Sequence, residues 1–419
     1  MSATITAITA AITTAPTSKT FESFNDFGLN PLLTESLTRM NFTKPTAIQA
    51  ATISLSMQGR DVLASAETGS GKTAAFVLPM INSLLNSPRG SALVLLPTRE
   101  LAVQVLDVVH NLLGNKSGIR TALIIGGEPM PKQLSQLRNR PRIIVGTPGR
   151  INDHLNRGTM MLGNTDFLVL DETDRMLDMG FGVQLDEIAK YLPSARQTLM
   201  FSATIPAAIE KVSKKYLTNP ERITVGSNNT PVKNIKQDSI FTTPAEKYSV
   251  LIKELAARKG SVIIFVKTKY GADKLAVKLD KDGHTAEAIH GDLKQRQRDR
   301  VIAGFRASKY RVLVATDIAA RGLDIPHIEH VINFDLPQCP EDYIHRIGRT
   351  ARAGAEGSAL CLISPDDRGK WTAIRRLIDP NAPKSEHDVV DEKRKPRRFA
   401  GKPFRFSKTG RGRSDKKAA

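Results

Sequence analysis

Cysteine and long apolar runs are scarce in this 419-residue sequence, and each scarcity excludes a class of protein. Two cysteines, Cys339 and Cys361, are too few for a disulfide framework and lack a metal-ligand spacing, which favours a reducing, cytoplasmic setting. No apolar run approaches the roughly 18 to 20 residues of a membrane helix, so we expect no membrane insertion. Residues 1–20 hold one lysine and no arginine, which fits neither a secretory signal nor an arginine-rich transit peptide. We expect them to form a disordered leader.

The net charge of +19 is concentrated near the C-terminus. Residues 393–419 contain twelve Lys or Arg and one acid, so +11 of the charge lies there. Phe399, Phe404 and Phe406 alternate with these basic residues, and the segment has too few apolar groups to fold alone. It predicts a disordered arm that binds a polyanion, most often nucleic acid, with a merely solubilising tail as the alternative.

One stretch has the spacing of a phosphate-binding loop: Ala66-Glu67-Thr68-Gly69-Ser70-Gly71-Lys72-Thr73. A short apolar strand candidate precedes it at residues 62–65, and residues 74–85 are apolar at helical spacing, which is the context that a P-loop requires. In that arrangement Lys72 reaches the β and γ phosphates, and the Thr73 hydroxyl binds magnesium. The alternative is a glycine-rich turn with a chance Lys-Thr.

Strand candidates and helical segments alternate along two series, which predicts two α/β domains with mainly parallel sheets flanked by helices. A Gly, Ser, Asn and Pro cluster separates the series and predicts a linker at residues 226–232. The first predicted strand of the second series, residues 262–266, is followed by a segment without a phosphate loop. The other predicted strands are residues 92–96, 121–125, 142–145, 167–170, 198–201, 285–289, 312–315, 330–334 and 358–363.

Two carboxylates, Asp171 and Glu172, follow the apolar residues 167–170 directly. They therefore emerge at the C-terminal end of a buried strand, which is where ligands bind to parallel sheets. We expect Asp171 to hold magnesium and Glu172 to orient or deprotonate the attacking water. Paired acids that merely solvate a strand end are the alternative.

A basic run, His345 to Arg352, occurs in the second series. Arg349 and Arg352 are three residues apart, so in a helix they share one face and can both reach a γ-phosphate. A solvated basic helix is the alternative.

Taken in order, these motifs resemble the DEAD-box RNA helicases of superfamily 2, which have two RecA-like domains. The resemblance covers about residues 21–380 and implies an ATP-binding domain at residues 21–225, a C-terminal helicase domain at residues 233–380 and a basic tail at residues 381–419. The short body, the basic tail and the run from Asp174 to Phe181 look most like the bacterial RhlE-type subgroup. The matching segments are the Q motif (22–50), motif I (66–73), Ia (97–101), the glycine pair (126–127), Ib (147–150), II (171–174), III (202–204), IV (262–266), Q-x-x-R (295–298), V (315–324) and VI (345–352).

The resemblance implies ATP and Mg²⁺ as cofactors and assigns further site residues. Phe42 would stack on the adenine and Gln49 would bond its edge. Ser202 and Thr204 would bond Asp174 and couple the γ-phosphate to closure of the domains. The other implied nucleotide contacts are Thr68, Gly69, Ser70, Gly71, Gly322 and Asp324. The implied contacts to the RNA backbone are Pro97, Thr98, Arg99, Gly126, Gly127, Thr147, Pro148, Gly149, Arg150, Gln295, Arg298 and Thr316.

Three positions depart from the family pattern: Thr173 replaces an alanine, and Asn41 and Ala351 replace glycines. Thr173 lies inside motif II, so its coupling to motif III is in question. We expect a monomeric ATP-dependent RNA helicase that clamps single-stranded RNA, separates short duplexes and acts in RNA remodelling such as ribosome assembly or RNA turnover. One alternative is a non-enzymatic RNA clamp or annealing factor that binds ATP but seldom hydrolyses it. Another is an enzyme that acts on DNA, because nothing in the sequence reads a 2′-hydroxyl.

Overall fold

The computed structural model of the protein describes residues 21–66, 69–114, 116–225, 234–320, 327–351, 355–379 and 381. Their strands form two separate sheets in which every neighbouring pair is parallel. Two parallel α/β sheets confirm the predicted fold class. The predicted leader, the linker and the tail beyond residue 381 lie outside the described residues. No helix in the described ranges is both long enough and apolar enough to cross a membrane.

The first sheet has seven strands: β1 (Val62–Ala66), β2 (Ser91–Leu95), β3 (Thr121–Ile124), β4 (Ile143–Gly146), β5 (Thr165–Leu170), β6 (Gln197–Ser202) and β7 (Glu221–Val225). Their spatial order is β3-β4-β2-β5-β6-β1-β7. The second sheet has six strands: β8 (Ile235–Phe241), β9 (Ser261–Phe265), β10 (Ala286–Ile289), β11 (Val312–Ala315), β12 (Ile328–Asn333) and β13 (Gly357–Ile363). Their order is β10-β11-β9-β12-β13-β8.

The two sheets have the same strand order, with β8 in the position of β1 and no counterpart of β7 among the described strands. The prediction that residues 262–266 form the first strand of the second domain is therefore wrong, because β8 precedes them. β8 reads IKQDSIF and lies at a sheet edge with partly exposed polar residues, so it lacks the apolar run of a buried strand. The counterpart of the P-loop is residues 242–246, which contain no glycine.

Helices cover both faces of each sheet. In the first domain, β1 directs Val62 and Ala64 into one apolar cluster and Leu63 into the cluster on the opposite face. This alternation is expected of a strand buried on both faces. The helices are α1 (Pro31–Arg39), α2 (Ala47–Met57), α3 (Lys72–Asn86), α4 (Arg99–Leu113), α5 (Met130–Arg138), α6 (Pro148–Asn156), α7 (Thr173–Asp178), α8 (Gly182–Ala189), α9 (Ala207–Tyr216), α10 (Lys247–Ala257), α11 (Lys269–Lys281), α12 (Gln295–Arg306), α13 (Asp317–Ala320), α14 (Pro340–Ile347) and α15 (Arg368–Ile378).

A matching arginine stabilises the same turn in both domains. Arg142, just before β4, donates to the carbonyl oxygens of Leu84 at 3.0 Å and of Ser87, Arg89 and Gly90 at 2.8 Å. These oxygens belong to the end of α3 and the turn into β2, where carbonyl groups lack helical partners. Arg311, just before β11, binds the carbonyls of Leu255, Arg258 and Gly260 in the same way.

Candidate nucleotide and RNA site

The phosphate-loop segment connects β1 to α3, as the sequence predicts. Gly69 and Gly71 have φ angles of +84° and +97°, which favour glycine. A Cβ atom on Gly71 would also lie 2.5 Å from Nε2 of Gln49. Lys72 is 7% exposed, and its ammonium donates to the carbonyl oxygen of Ala66 at 2.7 Å. Ser70 and Thr73 lie beside these residues, and Thr68 lies outside the described residues.

The Q motif contacts this loop through Gln49. Its Oε1 atom accepts from the Thr46 amide at 2.9 Å, and its Nε2 atom donates to the Gly71 carbonyl at 3.1 Å. Gln49 thus links α2 to the phosphate loop, a role that the sequence did not predict. Phe42 is 38% exposed and stacks against Phe24 with ring centroids 6.2 Å apart, so one ring face is held by the protein.

Asp171 and Glu172 follow β5, on the same sheet edge as the phosphate loop. Asp171 is buried, and its carboxylate accepts from the Glu172 amide at 2.9 Å. Burial raises the pKa of Asp171 to about 7, against the opposing charge of Lys72. Glu172 has φ 49° and ψ 49°, a left-handed conformation that is uncommon for glutamate and is often found at functional sites. Its Oε2 atom is buried without a hydrogen-bond partner in the described part of the chain.

The donor atoms at this edge fit a magnesium nucleotide. Asp171 and Thr73 offer the oxygen ligands that Mg²⁺ prefers, and the ion usually completes its shell with water and substrate phosphates. Within the described ranges no group of three or more His, Cys, Asp or Glu could hold a metal ion by itself. The unpartnered Glu172 oxygen and the buried Asp171 carboxyl are also expected of a site that binds a polar, cationic group.

Motif II and motif III are joined through Asp174. Its Oδ2 atom accepts from the amides of Ala203 at 3.0 Å and Thr204 at 3.2 Å, and from the Thr204 hydroxyl at 3.5 Å. The expected bond from Ser202 to Asp174 is absent. Ser202 is the last residue of β6 and is fully buried, and its hydroxyl has no hydrogen-bond partner among the described residues. The Ala203 amide takes its place. Ser65, which the sequence reasoning missed, connects β1 to motif III by donating to the Ala203 carbonyl at 3.1 Å.

Thr173 leaves this connection intact. Its hydroxyl donates to the Leu170 carbonyl at 3.3 Å, and its side chain is fully buried within the motif II turn. The extra methyl and hydroxyl groups are therefore accommodated locally, while Asp174 retains its bonds to motif III.

The second domain contributes motif VI from the end of α14. This helix ends at Ile347, so Arg349 lies in the turn that follows and is not helical as the prediction assumed. Arg346, which the sequence reasoning did not single out, is 2% exposed and forms a bidentate pair with Asp317 at 2.6 and 2.7 Å. It thereby fixes motif VI to motif V. Arg352, Gly322 and Asp324 lie outside the described residues.

Several residues predicted to contact RNA meet where the two domains touch. Arg99 donates to Gln295 Oε1 at 3.2 Å, and a Cβ atom on Gly127 would lie 2.4 Å from the Arg99 guanidinium and 3.3 Å from the Gln295 side chain. Gly126 lies beside the same guanidinium. Burial lowers the pKa of Arg99, and the negative charge of Glu100 opposes this effect.

Gln295 and Arg298 have partners inside the protein, which revises the prediction that they grip RNA. Arg298 Nε donates to Glu100 Oε1 at 2.7 Å, Arg298 Nη2 lies 2.6 Å from the same atom, and the two side chains are 8% and 7% exposed. Gln295 donates to Asp299 at 3.0 Å and, at 3.4 Å, to Glu100. A buried carboxylate requires such partners. Sequence reasoning missed Glu100, although it lies within the matched segment 97–101.

Two of the remaining predicted RNA residues, Thr147 and Thr316, follow equivalent strands. Thr147 follows β4 and Thr316 follows β11, and each donates its amide to the neighbouring strand, at Ile124 and Ile289 respectively. Thr98 caps α4 through its side chain, and Pro97 is buried beside it. Pro148 and Gly149 begin α6, and Arg150 donates to the Glu128 carbonyl at 3.2 Å.

Both domains match known protein families. Residues 46–212 match the family described as DEAD/DEAH box helicase, and residues 246–354 match the helicase conserved C-terminal domain. CshA of Bacillus licheniformis, described as a DEAD-box ATP-dependent RNA helicase, is 42% identical over 372 residues, covering 88% of this chain and 76% of that protein. This chain belongs to the DEAD-box helicases.

A second relative of this DEAD-box helicase is CshA of Listeria monocytogenes, 44% identical over 348 residues, or 83% of this chain and 67% of that one. Both relatives are CshA proteins, so they do not support the predicted RhlE-type subgroup. The family assignment confirms the predicted activity. The protein is an ATP-dependent RNA helicase, an RNA-stimulated ATPase that uses ATP with Mg²⁺.

Solved structures of other DEAD-box helicases share its fold. S. cerevisiae Dbp5 bound to RNA and ADP BeF3 is 36% identical with a TM-score of 0.77, covering 85% of this chain and 94% of that one. Mss116p bound to ssRNA and AMP-PNP is 28% identical, also at 0.77, covering 84% and 76%. A Dbp5 variant bound to Gle1 and IP6 is 35% identical and has a lower TM-score of 0.66, with 85% of this chain and 91% of that one covered. The two Dbp5 chains have nearly the same sequence, so the arrangement of the domains here is more similar to that of Dbp5 with RNA.

Proposed function

We propose that this helicase hydrolyses ATP in a composite site between its two domains, and that the closed domains clamp single-stranded RNA. The observation that carries the proposal is the set of contacts across the domain boundary. Arg99 meets Gln295, Glu100 meets Arg298, and these contacts lie beside the segments that match the family's RNA-binding motifs. Closure would then require the RNA-binding segments of both domains to approach each other. Local strand separation follows if one strand of a duplex is bent out of its partner's reach.

At the nucleotide, the residues of the first domain bind and orient ATP. Lys72 would turn from the Ala66 carbonyl to the β and γ phosphates, and the loop amides from Thr68 to Thr73 would surround the phosphates. Thr73 and Asp171 would hold Mg²⁺, which when bound neutralises phosphate charge. Glu172 would orient the attacking water and accept its proton, since its Oε2 atom has no hydrogen-bond partner in the described residues. Lys72, Asp171 and Glu172 are the catalytic residues that we propose in this domain.

The second domain would complete the site on closure. Arg349 and Arg352 would neutralise the charge that develops on the γ-phosphate, the role of arginine fingers in related enzymes. Gly322 and Asp324 would contact the nucleotide from motif V. Asp174, Thr204 and the Ala203 amide would transmit the state of the γ-phosphate to the domain boundary.

Adenine selection would come from the Q motif. Phe42 would stack on the base from its exposed face, and Gln49 would bond the base edge while it remains connected to Gly71. This pairing of a ring with an amide explains why the nucleotide would be ATP and not another triphosphate.

RNA would be bound through its sugar-phosphate backbone, which positions the strand without reading its sequence. Two of the proposed contacts, Thr147 and Thr316, follow the equivalent strands β4 and β11, so one RNA strand would cross both sheets. Gln295 and Arg298 would act mainly by holding the domains together around that strand. The proposed contacts are Pro97, Thr98, Arg99, Gly126, Gly127, Thr147, Pro148, Gly149, Arg150 and Thr316.

We also propose the domain boundaries at residues 21–225 and 233–380, a basic tail from residue 381, and a cytoplasmic monomer that remodels RNA in ribosome assembly or turnover. The RhlE-type subgroup stays a proposal based on the run from Asp174 to Phe181 and on the tail.

Deleting residues 393–419 should weaken RNA binding at low salt and leave ATP binding nearly unchanged. Unchanged RNA affinity at low salt would contradict the role of the tail.

The composite site is tested with Glu172→Gln and Arg349→Lys in a phosphate-release assay with saturating single-stranded RNA. We expect each to lower kcat at least tenfold while ATP binding persists, because each removes a group that acts on the transition state. A non-enzymatic clamp predicts an equally low rate for the unchanged protein and both variants. Substituting single-stranded DNA of the same sequence separates an RNA-directed from a DNA-directed enzyme.

A further inference from the structure

Arg175 is a buried arginine that the mechanism above does not use. It lies in α7, immediately after the four residues of motif II, and its side chain is 2% exposed. It lines a cavity between the domains together with Asp317, Asp342 and Arg349 of the second domain. The cavity volume is about 10 Å³, close to the minimum for one water.

The charged neighbours of Arg175 come from both domains. Its Nε atom lies 3.6 Å from Glu172 Oε2, and its Nη1 atom lies 4.0 Å from Asp342 Oδ1. Asp342 is in α14, the helix that leads into Arg349. One guanidinium thus lies between the proposed water-orienting carboxylate of the first domain and the helix that would bring the arginine finger.

In the pair of Glu172 and Arg175 inside the first domain, each side chain has a buried polar atom without a hydrogen bond among the described residues. Arg175 Nη2 and Glu172 Oε2 are buried, and neither has a hydrogen-bond partner in the part of the chain that the structure describes. Buried charges without hydrogen bonds are costly, so the pair depends on nearby opposite charge. Asp342 supplies that charge only when the second domain is in contact with α7.

We propose that Arg175 is a positioning residue that couples domain closure to the orientation of the Glu172 carboxylate. With the domains apart, the Asp342 face of Arg175 meets water and the guanidinium is free to leave Glu172. On closure Asp342 holds the guanidinium in place, which fixes Glu172 one helical turn away. The movement that brings α14 and Arg349 to the site therefore also orders the residue that handles the water. This inference rests on the proposed role of Glu172.

The test compares Arg175→Gln, Arg175→Lys, Asp342→Asn and the double variant Arg175→Gln/Asp342→Asn in the full-length protein. ATP hydrolysis is measured at saturating RNA over a range of ATP concentrations. We expect Arg175→Gln and Asp342→Asn each to lower kcat about tenfold with less than a twofold change in KM for ATP. Arg175→Lys should recover part of the loss, and the double variant should be no slower than the slower single variant.

A matched control is the exposed pair Arg222 and Glu210, whose side chains are 3.0 Å apart on the surface of the first domain. Arg222→Gln, Glu210→Gln and their double variant should hydrolyse ATP at the unchanged rate. The Arg175 proposal is overturned if Arg175→Gln keeps full kcat. It is also overturned by a second pattern, in which Arg175→Gln melts at a lower temperature and raises KM as much as it lowers kcat, and Arg175→Lys recovers none of the lost kcat. A merely structural role of Arg175 predicts this pattern.

Glu172→Gln in the same assay separates this inference from the proposed function. If Glu172→Gln retains RNA-stimulated kcat, the proposed role of Glu172 fails, and Arg175 then has no catalytic carboxylate to position. If Glu172→Gln is inactive while Arg175→Gln and Asp342→Asn are unaffected, only the coupling through Arg175 fails.

Discussion

The ion pair between Glu100 and Arg298 permits a quantitative prediction for Glu100→Gln. The two groups belong to different domains, are 7% and 8% exposed, and lie 2.6 Å apart. Removing one partner of a buried pair costs about 3–5 kcal/mol. Glutamine keeps one acceptor for the Arg298 guanidinium, so we expect the lower end, about 3 kcal/mol. Because each 1.4 kcal/mol is tenfold, the closed arrangement should become roughly 100-fold less favourable.

This cost falls on closure and not on folding, since Glu100 and Arg298 belong to different domains and pair only when the domains are in contact. RNA affinity of Glu100→Gln should therefore fall roughly 100-fold in the presence of a non-hydrolysable ATP analogue. RNA affinity without nucleotide and the melting temperature should stay nearly unchanged. Fluorescence anisotropy of a labelled single-stranded RNA, with and without the analogue, measures both affinities.

The control for this prediction is Glu187→Gln, which removes an exposed ion pair with Lys190 inside the first domain. Exposed pairs contribute about 0–1 kcal/mol, so RNA affinity should hardly change. If Glu100→Gln binds RNA with the analogue within threefold of the unchanged protein, the domain boundary does not stabilise the clamp and the reasoning is refuted.

Three further predictions concern stability, thiol chemistry and motif II. Arg142→Ala removes four hydrogen bonds to carbonyl oxygens, so it should lower the free energy of unfolding of the first domain by about 3 kcal/mol in a urea titration. The control Arg138→Ala, on the surface, should not lower it. Equal losses in the two variants would contradict the role of Arg142 in stabilising the turn between α3 and β2. Burial raises the pKa of the Cys361 thiol to about 12, so iodoacetamide should label only the exposed Cys339 in the folded protein, as mass spectrometry of the peptides would show. Thr173→Ala should leave RNA-stimulated kcat within about twofold, because Asp174 keeps its bonds to motif III; a larger change would mean that the Thr173 hydroxyl takes part in coupling.

Buried strands were predictable from the sequence because each is a short apolar run with turn residues on both sides. The predicted strand at residues 312–315 coincides with β11, and most others agree within a residue or two. β8 escaped because an edge strand needs few apolar residues, so its sequence lacks the signal that marks the interior strands. The sequence therefore predicted the counterpart of the P-loop after β9, whereas it lies after β8.

The candidate site was predictable where the chemistry depends on one contiguous segment. The turn at Gly71 and the acids after β5 are examples, because spacing alone places them at a strand end. Contacts between distant segments were not predictable in this way. Nothing in the order of residues indicates that Glu100 would bind Arg298, 198 positions away, or that the Ala203 amide would replace the Ser202 hydroxyl at Asp174. The packing of the domains decides the contact between Glu100 and Arg298. The direction of the last residue of β6 decides which group bonds to Asp174.

We propose that RNA drives hydrolysis by closing a site that neither domain has alone. Phosphate release by the full-length protein, measured at saturating ATP with and without single-stranded RNA, tests it most directly. We expect a rate at least tenfold higher with RNA, and we expect this increase to be lost in Arg349→Lys. An equal rate with and without RNA, or an RNA-stimulated rate that survives in Arg349→Lys, would contradict the claim.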